Sequence, residues 1–174
     1  MTKIHKKIVN EIIEEQKKNS NVIAINLFGS VAKGKERPDS DVDIEIIVNE
    51  GKEWKWFKQN KYGIHIDFIR CSKNHLLYQI EKYPYLCYGY LDEMVIYDPE
   101  GFMMEVKKKI ESYMNKHPKV VRFWENKLTI MKRNKAKGQD QKEAIKSFNE
   151  AEILFSTENK LTRDWFRDNK DFNK

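Results

Sequence analysis

Apolar residues recur along this chain with two different periods, and the change from one to the other organises it. Ile4, Ile8 and Ile12 stand four apart with Val9 and Ile13 beside them on an otherwise charged segment. That stripe predicts an amphipathic helix over Thr2 to Lys18, packed on a sheet and stopped by Asn19-Ser20-Asn21. A continuous apolar run, Val22 to Phe28, reads as a first strand. In a second strand, Val42, Ile44 and Ile46 take the core face while Asp41 and Asp43 project together from the other. Asn49-Glu50-Gly51 turns the chain. Tyr62 to Cys71 alternates again, with Ile64, Ile66 and Phe68 opposite His65, Asp67 and Ile69. Ser72 is placed to cap a helix running to about Tyr83, and Pro84 ends it. Met94 to Tyr97 is a further strand, closed by the turn Asp98-Pro99-Glu100-Gly101.

Between these elements Lys52 to Lys58, with Trp54, Trp56 and Phe57, has no decisive period and suits a helical turn over the sheet or an aromatic wall of a site. From Phe102 the pattern is helical. Phe102, Val106, Ile110 and Met114 form one stripe, which His117-Pro118 breaks. Val121, Trp124, Leu128 and Met131 form a second, and after Lys137-Gly138 a third runs through Ala144, Phe148, Ala151 and Phe155. The last two helices suit an antiparallel hairpin. The tail, Lys160 to Lys174, reads as a short helix or a loosely ordered end. The expected division is residues 1–100 as one domain and 101–174 as a helical region.

Charge changes this picture in one place. The net charge is +6, and the segment from Phe102 to Lys146 holds thirteen Lys and Arg against five Asp and Glu, leaving the rest slightly acidic. Such a segment suits RNA, a triphosphate, an acidic protein partner or a plain solvated face. No apolar run reaches membrane-spanning length and the first residues are amphipathic, so a cytoplasmic protein with no membrane association is expected. Cys71 and Cys87 supply no disulfide framework, and Cys71 with His75 falls short of a zinc ligand set.

The chemistry gathers between Asn26 and Val48. Two carboxylates on one strand face, Asp41 and Asp43, repel each other unless a divalent cation neutralises them. Gly29-Ser30, at the end of the preceding strand, brings backbone N–H groups and a hydroxyl close to an anion. Lys33, Lys35 and Arg37 follow in the loop, within reach of a triphosphate. Gly29, Gly34 and Lys35 also mimic a P-loop, but Glu36 stands where Ser or Thr would hold Mg²⁺, and Pro38 would interrupt the helix. Glu45 shares the aspartates' face and reads as a supporting or surface residue.

Phe28-Gly29-Ser30, the spacer Val31 to Ser40, and Asp41-Val42-Asp43-Ile44 resemble the signature of the nucleotidyltransferase superfamily typified by DNA polymerase β. Asp67 stands where that family carries a third acid. The resemblance implies an α/β (α+β) fold, a minimal nucleotidyltransferase domain with a mixed sheet flanked by helices, here followed by the helical hairpin. It implies Asp41, Asp43 and Asp67 as catalytic residues and ligands of two Mg²⁺ ions. Gly29, Ser30, Lys33 and Arg37 would hold the phosphates of ATP or another nucleoside triphosphate. The implied activity moves a nucleoside monophosphate to a hydroxyl on a small molecule, similar to the antibiotic-modifying branch. Nucleotide addition to RNA, AMP transfer to a protein partner as in the antitoxin-like branch, and an interaction protein without turnover are the alternatives. A site shared across a homodimer would account for exposed aromatics.

Overall fold

The computed structural model describes residues 1–51, 54–135 and 140–156. The chain divides into two compact units, Met1–Ser112 and Tyr113–Lys174. In the first, five strands form one mixed sheet: β1 (Val22–Phe28), β2 (Val42–Val48), β3 (Trp54–Lys61), β4 (Ile64–Ser72) and β5 (Met94–Tyr97), in the order β3-β4-β2-β1-β5. Neighbours pair antiparallel except β2 and β4, which run parallel. That pairing arises because β3 lies outside β4 and returns the chain to β2's side of it. Helix α1 (Lys3–Gln16) lays Ile8, Val9 and Ile12 against Ile25, Leu27, Val42, Ile44, Ile46, Ile66 and Phe68 in one core. Helix α2 (Gly29–Ala32) is a single turn, α3 (Lys73–Lys82) is capped by the Ser72 hydroxyl accepting from the His75 N–H, and a 3-10 segment spans Pro84–Asp92.

The segment without a clear period is a strand from Trp54 onward rather than a helical turn; Lys52 and Glu53 lie outside the described residues. Its β-branched content is nil, but pairing with β4 decides the outcome. Tyr62 and Gly63 both have positive φ (56° and 79°), the geometry of a two-residue hairpin turn whose twist matches the strands it joins. The Tyr62 hydroxyl donates to Glu11 at 2.7 Å and Lys7 lies over its ring, so the turn is also tied to α1.

Helix α4 (Phe102–Lys116) buries Met103, Val106, Ile110 and Met114, with Phe102 only half-buried, so the inward stripe begins one residue later than fourfold spacing suggests. Similarly α5 (Pro118–Lys135) buries Val120 and Trp124, with Val121 half-buried. In the second unit α5 pairs with α6 (Asp140–Phe155) through Trp124 against Phe148, Phe123 against Phe155, and Lys127 bonded to Glu150, contacts that run the two helices antiparallel. The expected turn at Lys137-Gly138 and the tail 160–174 lie outside the described residues.

Ile46 is fully buried and Ile153 is 75% exposed. Ile46→Ala is expected to cost about 2–5 kcal/mol in urea denaturation through the cavity it leaves, and Ile153→Ala less than about 0.5 kcal/mol.

Candidate nucleotide site

The end of β1 and the start of β2 meet at the register pair Phe28 and Asp43. Gly29 follows with φ 72°, a conformation side chains rarely adopt, and a Cβ built there would lie 2.0 Å from Asp43 Oδ2. The Asp43 carboxylate thus occupies the space that every residue but glycine would fill. Ser30 and the buried Val31 continue into the turn of α2, and the Lys35 N–H closes the loop onto the Ser30 carbonyl at 3.0 Å.

On the other side of β2, parallel pairing sets Asp43 directly beside Asp67 of β4. Both project on the face opposite the α1 core. The next strand sets Lys58 beside Asp67, with its ammonium 3.4 Å from Asp67 Oδ1 and lying over the Trp56 ring at 4.6 Å. Lys58 was not anticipated from sequence, because its place follows from the unrecognised strand β3. His65, paired with Asn60, is exposed on this same face.

Asp41 precedes β2 rather than lying within it and is exposed. Lys33 pairs with Asp92 at 2.6 Å, and Arg37 pairs with Asp39 at 3.2 Å on the exposed loop. Glu36, the residue that spoils the P-loop match, accepts a hydrogen bond from the Thr2 N–H at 2.6 Å.

Glu45 is not a surface residue: it is 4% exposed. Asn26 Nδ2 donates to one of its oxygens and the Tyr90 hydroxyl to the other, each at 3.0 Å. Burial nevertheless pushes its carboxyl up to about 7, against the lowering effect of those bonds. Burial and then the Glu45 charge push Glu93 up to about 9, with Asn26 and Lys107 acting the other way. Two acids in one dry volume cannot both ionise cheaply, so the pair retains a proton near neutrality. Burial likewise raises Cys71, and pushes Cys87 up to about 12, leaving inert thiols. Asn26, Tyr90 and Glu93 carried no sequence signal beyond one polar residue in an apolar strand.

Carboxylate oxygens are hard donors suited to Mg²⁺, and the buried Asp67 Oδ1 makes no hydrogen bond, its one contact among the described residues being the Lys58 ion pair at 3.4 Å. Among the described residues, no three His, Cys, Asp or Glu converge into a metal cage. Mg²⁺ commonly takes one or two carboxylates and completes its shell with substrate phosphates and water, so the donor set fits a substrate-bridged ion rather than a closed structural site.

The family "Polymerase beta, Nucleotidyltransferase" matches residues 10–100. Among solved structures, the chain is similar to a nucleotidyltransferase-like protein from Exiguobacterium sibiricum 255-15, with 10% identity and a TM-score of 0.49 over 84% of this chain and 53% of that one. The chain thus spans about half the length of that protein. No curated protein matches it.

Two substitutions test the geometry. Gly29→Ala is expected to displace Asp43 and cost about 1–3 kcal/mol in denaturation curves, whereas Gly63→Ala, with nothing within 4 Å of its added Cβ, carries only the backbone strain. Glu45 and Glu93 are both raised above the ordinary 4.5, so the folded state keeps protons that the unfolded chain releases. Their contribution is full at low pH and is lost as pH climbs from about 4.5 toward 9. Glu45→Gln should flatten that alkaline loss, gaining on the order of 1–3 kcal/mol at pH 8 in denaturation curves.

Proposed function

The chain belongs to the polymerase beta nucleotidyltransferase family, and we propose that it moves a nucleoside monophosphate, AMP from ATP, to the hydroxyl of a small-molecule acceptor. The observation that supports this most is the parallel register that sets Asp43 beside Asp67, with Asp43 lodged against Gly29. Carboxylates on adjacent strands next to a glycine turn suit a triphosphate held on one side and an acceptor on the other.

In this reading Gly29 and Ser30 hold the β and γ phosphates through backbone N–H groups and the Ser30 hydroxyl, with Lys33 and Arg37 close by in the loop. Asp41 and Asp43 would hold Mg²⁺ with the triphosphate, and Asp67 would share a second ion; bound there, the ions supply charge neutralisation and acidify the attacking hydroxyl. The acceptor oxygen forms a bond to the α phosphorus, the bond from that phosphorus to the α–β bridging oxygen breaks, and pyrophosphate leaves. The acceptor proton passes to Asp67, whose present partner is Lys58. Positioning and electrostatics account for most of the acceleration, as in other phosphoryl transfers.

Calorimetric titration of MgATP into wild type is expected to give metal-dependent binding that disappears in the Asp41→Ala, Asp43→Ala double variant. With α-labelled ATP and a panel of hydroxyl acceptors, Asp67→Asn should bind the nucleotide yet transfer at least about a hundredfold more slowly. Failure of wild type to bind any triphosphate with Mg²⁺ or Mn²⁺ would overturn the assignment in favour of a protein that interacts without turnover.

A further inference from the structure

We propose that His5 is a positioning residue for Asp41, acting through the loop between α2 and β2; the proposal rests on the assignment of Asp41 to the nucleotide site. His5 lies in the first turn of α1 and is completely buried. Its Nε2 is 2.8 Å from the carbonyl oxygen of Ser40, the residue before Asp41. A carbonyl only accepts, so Nε2 carries the proton, and Nδ1 accepts from the Thr2 hydroxyl. The Thr2 oxygen in turn caps α1 by accepting from the His5 N–H, which fixes the ring.

The same helix end holds the far side of the loop, where the Thr2 N–H donates to Glu36. Between these two anchors, Ser40 N–H donates to the Arg37 carbonyl at 3.1 Å and Arg37 N–H donates to Ser40 Oγ at 2.9 Å, closing a turn. Asp41 therefore emerges between a clasped carbonyl and Val42, which is fully buried. An exposed carboxylate on a free loop would sweep many orientations, and ordering it would cost binding free energy. Here α1, itself bound into the core by Ile8 and Ile12, transmits the rigidity of the sheet to the residue that must face a cation. His5 bonds the carbonyl before Asp41 rather than its carboxylate, so its loss is expected at the low end of the about 10–100-fold that a ligand's direct hydrogen-bond partner is worth.

His5→Ala, His5→Gln and Thr2→Val test this in the full chain, by calorimetry with MgATP and by amide hydrogen exchange over residues 36–41. His5→Ala should unfold cooperatively, exchange faster over that loop and bind MgATP about tenfold more weakly, while Gln, which restores a donor to Ser40, should return affinity to within about threefold. Wild-type affinity in a folded His5→Ala variant, or weakened affinity with unchanged loop exchange, would overturn the proposal. Should His5→Ala not fold, Thr2→Val decides: faster loop exchange with several-fold weaker binding supports the clamp, and wild-type values refute it. Loss confined to the His5 variants is distinct from absent binding in wild type, which defeats the nucleotide assignment and this proposal with it.

Discussion

Two carboxylates in register on parallel strands are the constraint around which this molecule is arranged. Strands lie about 4.8 Å apart, and like charges at that spacing repel by about 3 kcal/mol in a half-wet setting. The structure bears that cost by holding β2 where it cannot yield: Val42, Ile44 and Ile46 are all fully buried beneath α1. It also relieves it locally. The glycine at the end of β1 gives one Asp43 oxygen room to turn over the neighbouring backbone, and β3 brings the Lys58 ammonium to Asp67.

One pleat pair farther along the same face, the environment changes from half-wet to dry, and the same residue type behaves differently. Asp43 and Asp67 are partly open, whereas Glu45, two residues on, is sealed in with Asn26, Tyr90 and Glu93. A buried carboxyl that keeps its proton serves as a donor and acceptor rather than as a charge. Along one strand face the acids thus pass from half-exposed at Asp43 to buried at Glu45, whose carboxyl burial pushes up to about 7.

Legibility followed the range of the interactions. Alternation in Ile64 to Ile69 and the fourfold stripe in α1 are local signals, and both elements appear where those patterns put them. Gly29-Ser30 and the acids around Val42 stood out by residue type; the structure sets Gly29 against Asp43 and leaves Asp41 exposed ahead of β2. What sequence could not display was pairing. Trp54–Lys61 lacks a helical or strand period of its own, and its conformation is dictated by β4, so Lys58 went unseen. Glu45 read only as a supporting or surface residue because its partners come from β1 and the 3-10 segment, nineteen and forty-five residues away. Lys33 and Arg37 were read as phosphate contacts from their place in the loop; in the structure they pair with Asp92 and Asp39.

The hairpin that places β3 outside β4 also bears on the order of events in folding. Tyr62-Gly63 joins two strands that zip locally, and such contacts form early because little chain entropy is lost. The parallel seam between β2 and β4 has no turn of its own: Asp43 and Asp67 stand in register across 23 residues of intervening chain. Non-local seams of this kind close late. The acids are therefore brought side by side only as the sheet is completed, so a partly folded chain lacks the pairing of Asp43 with Asp67.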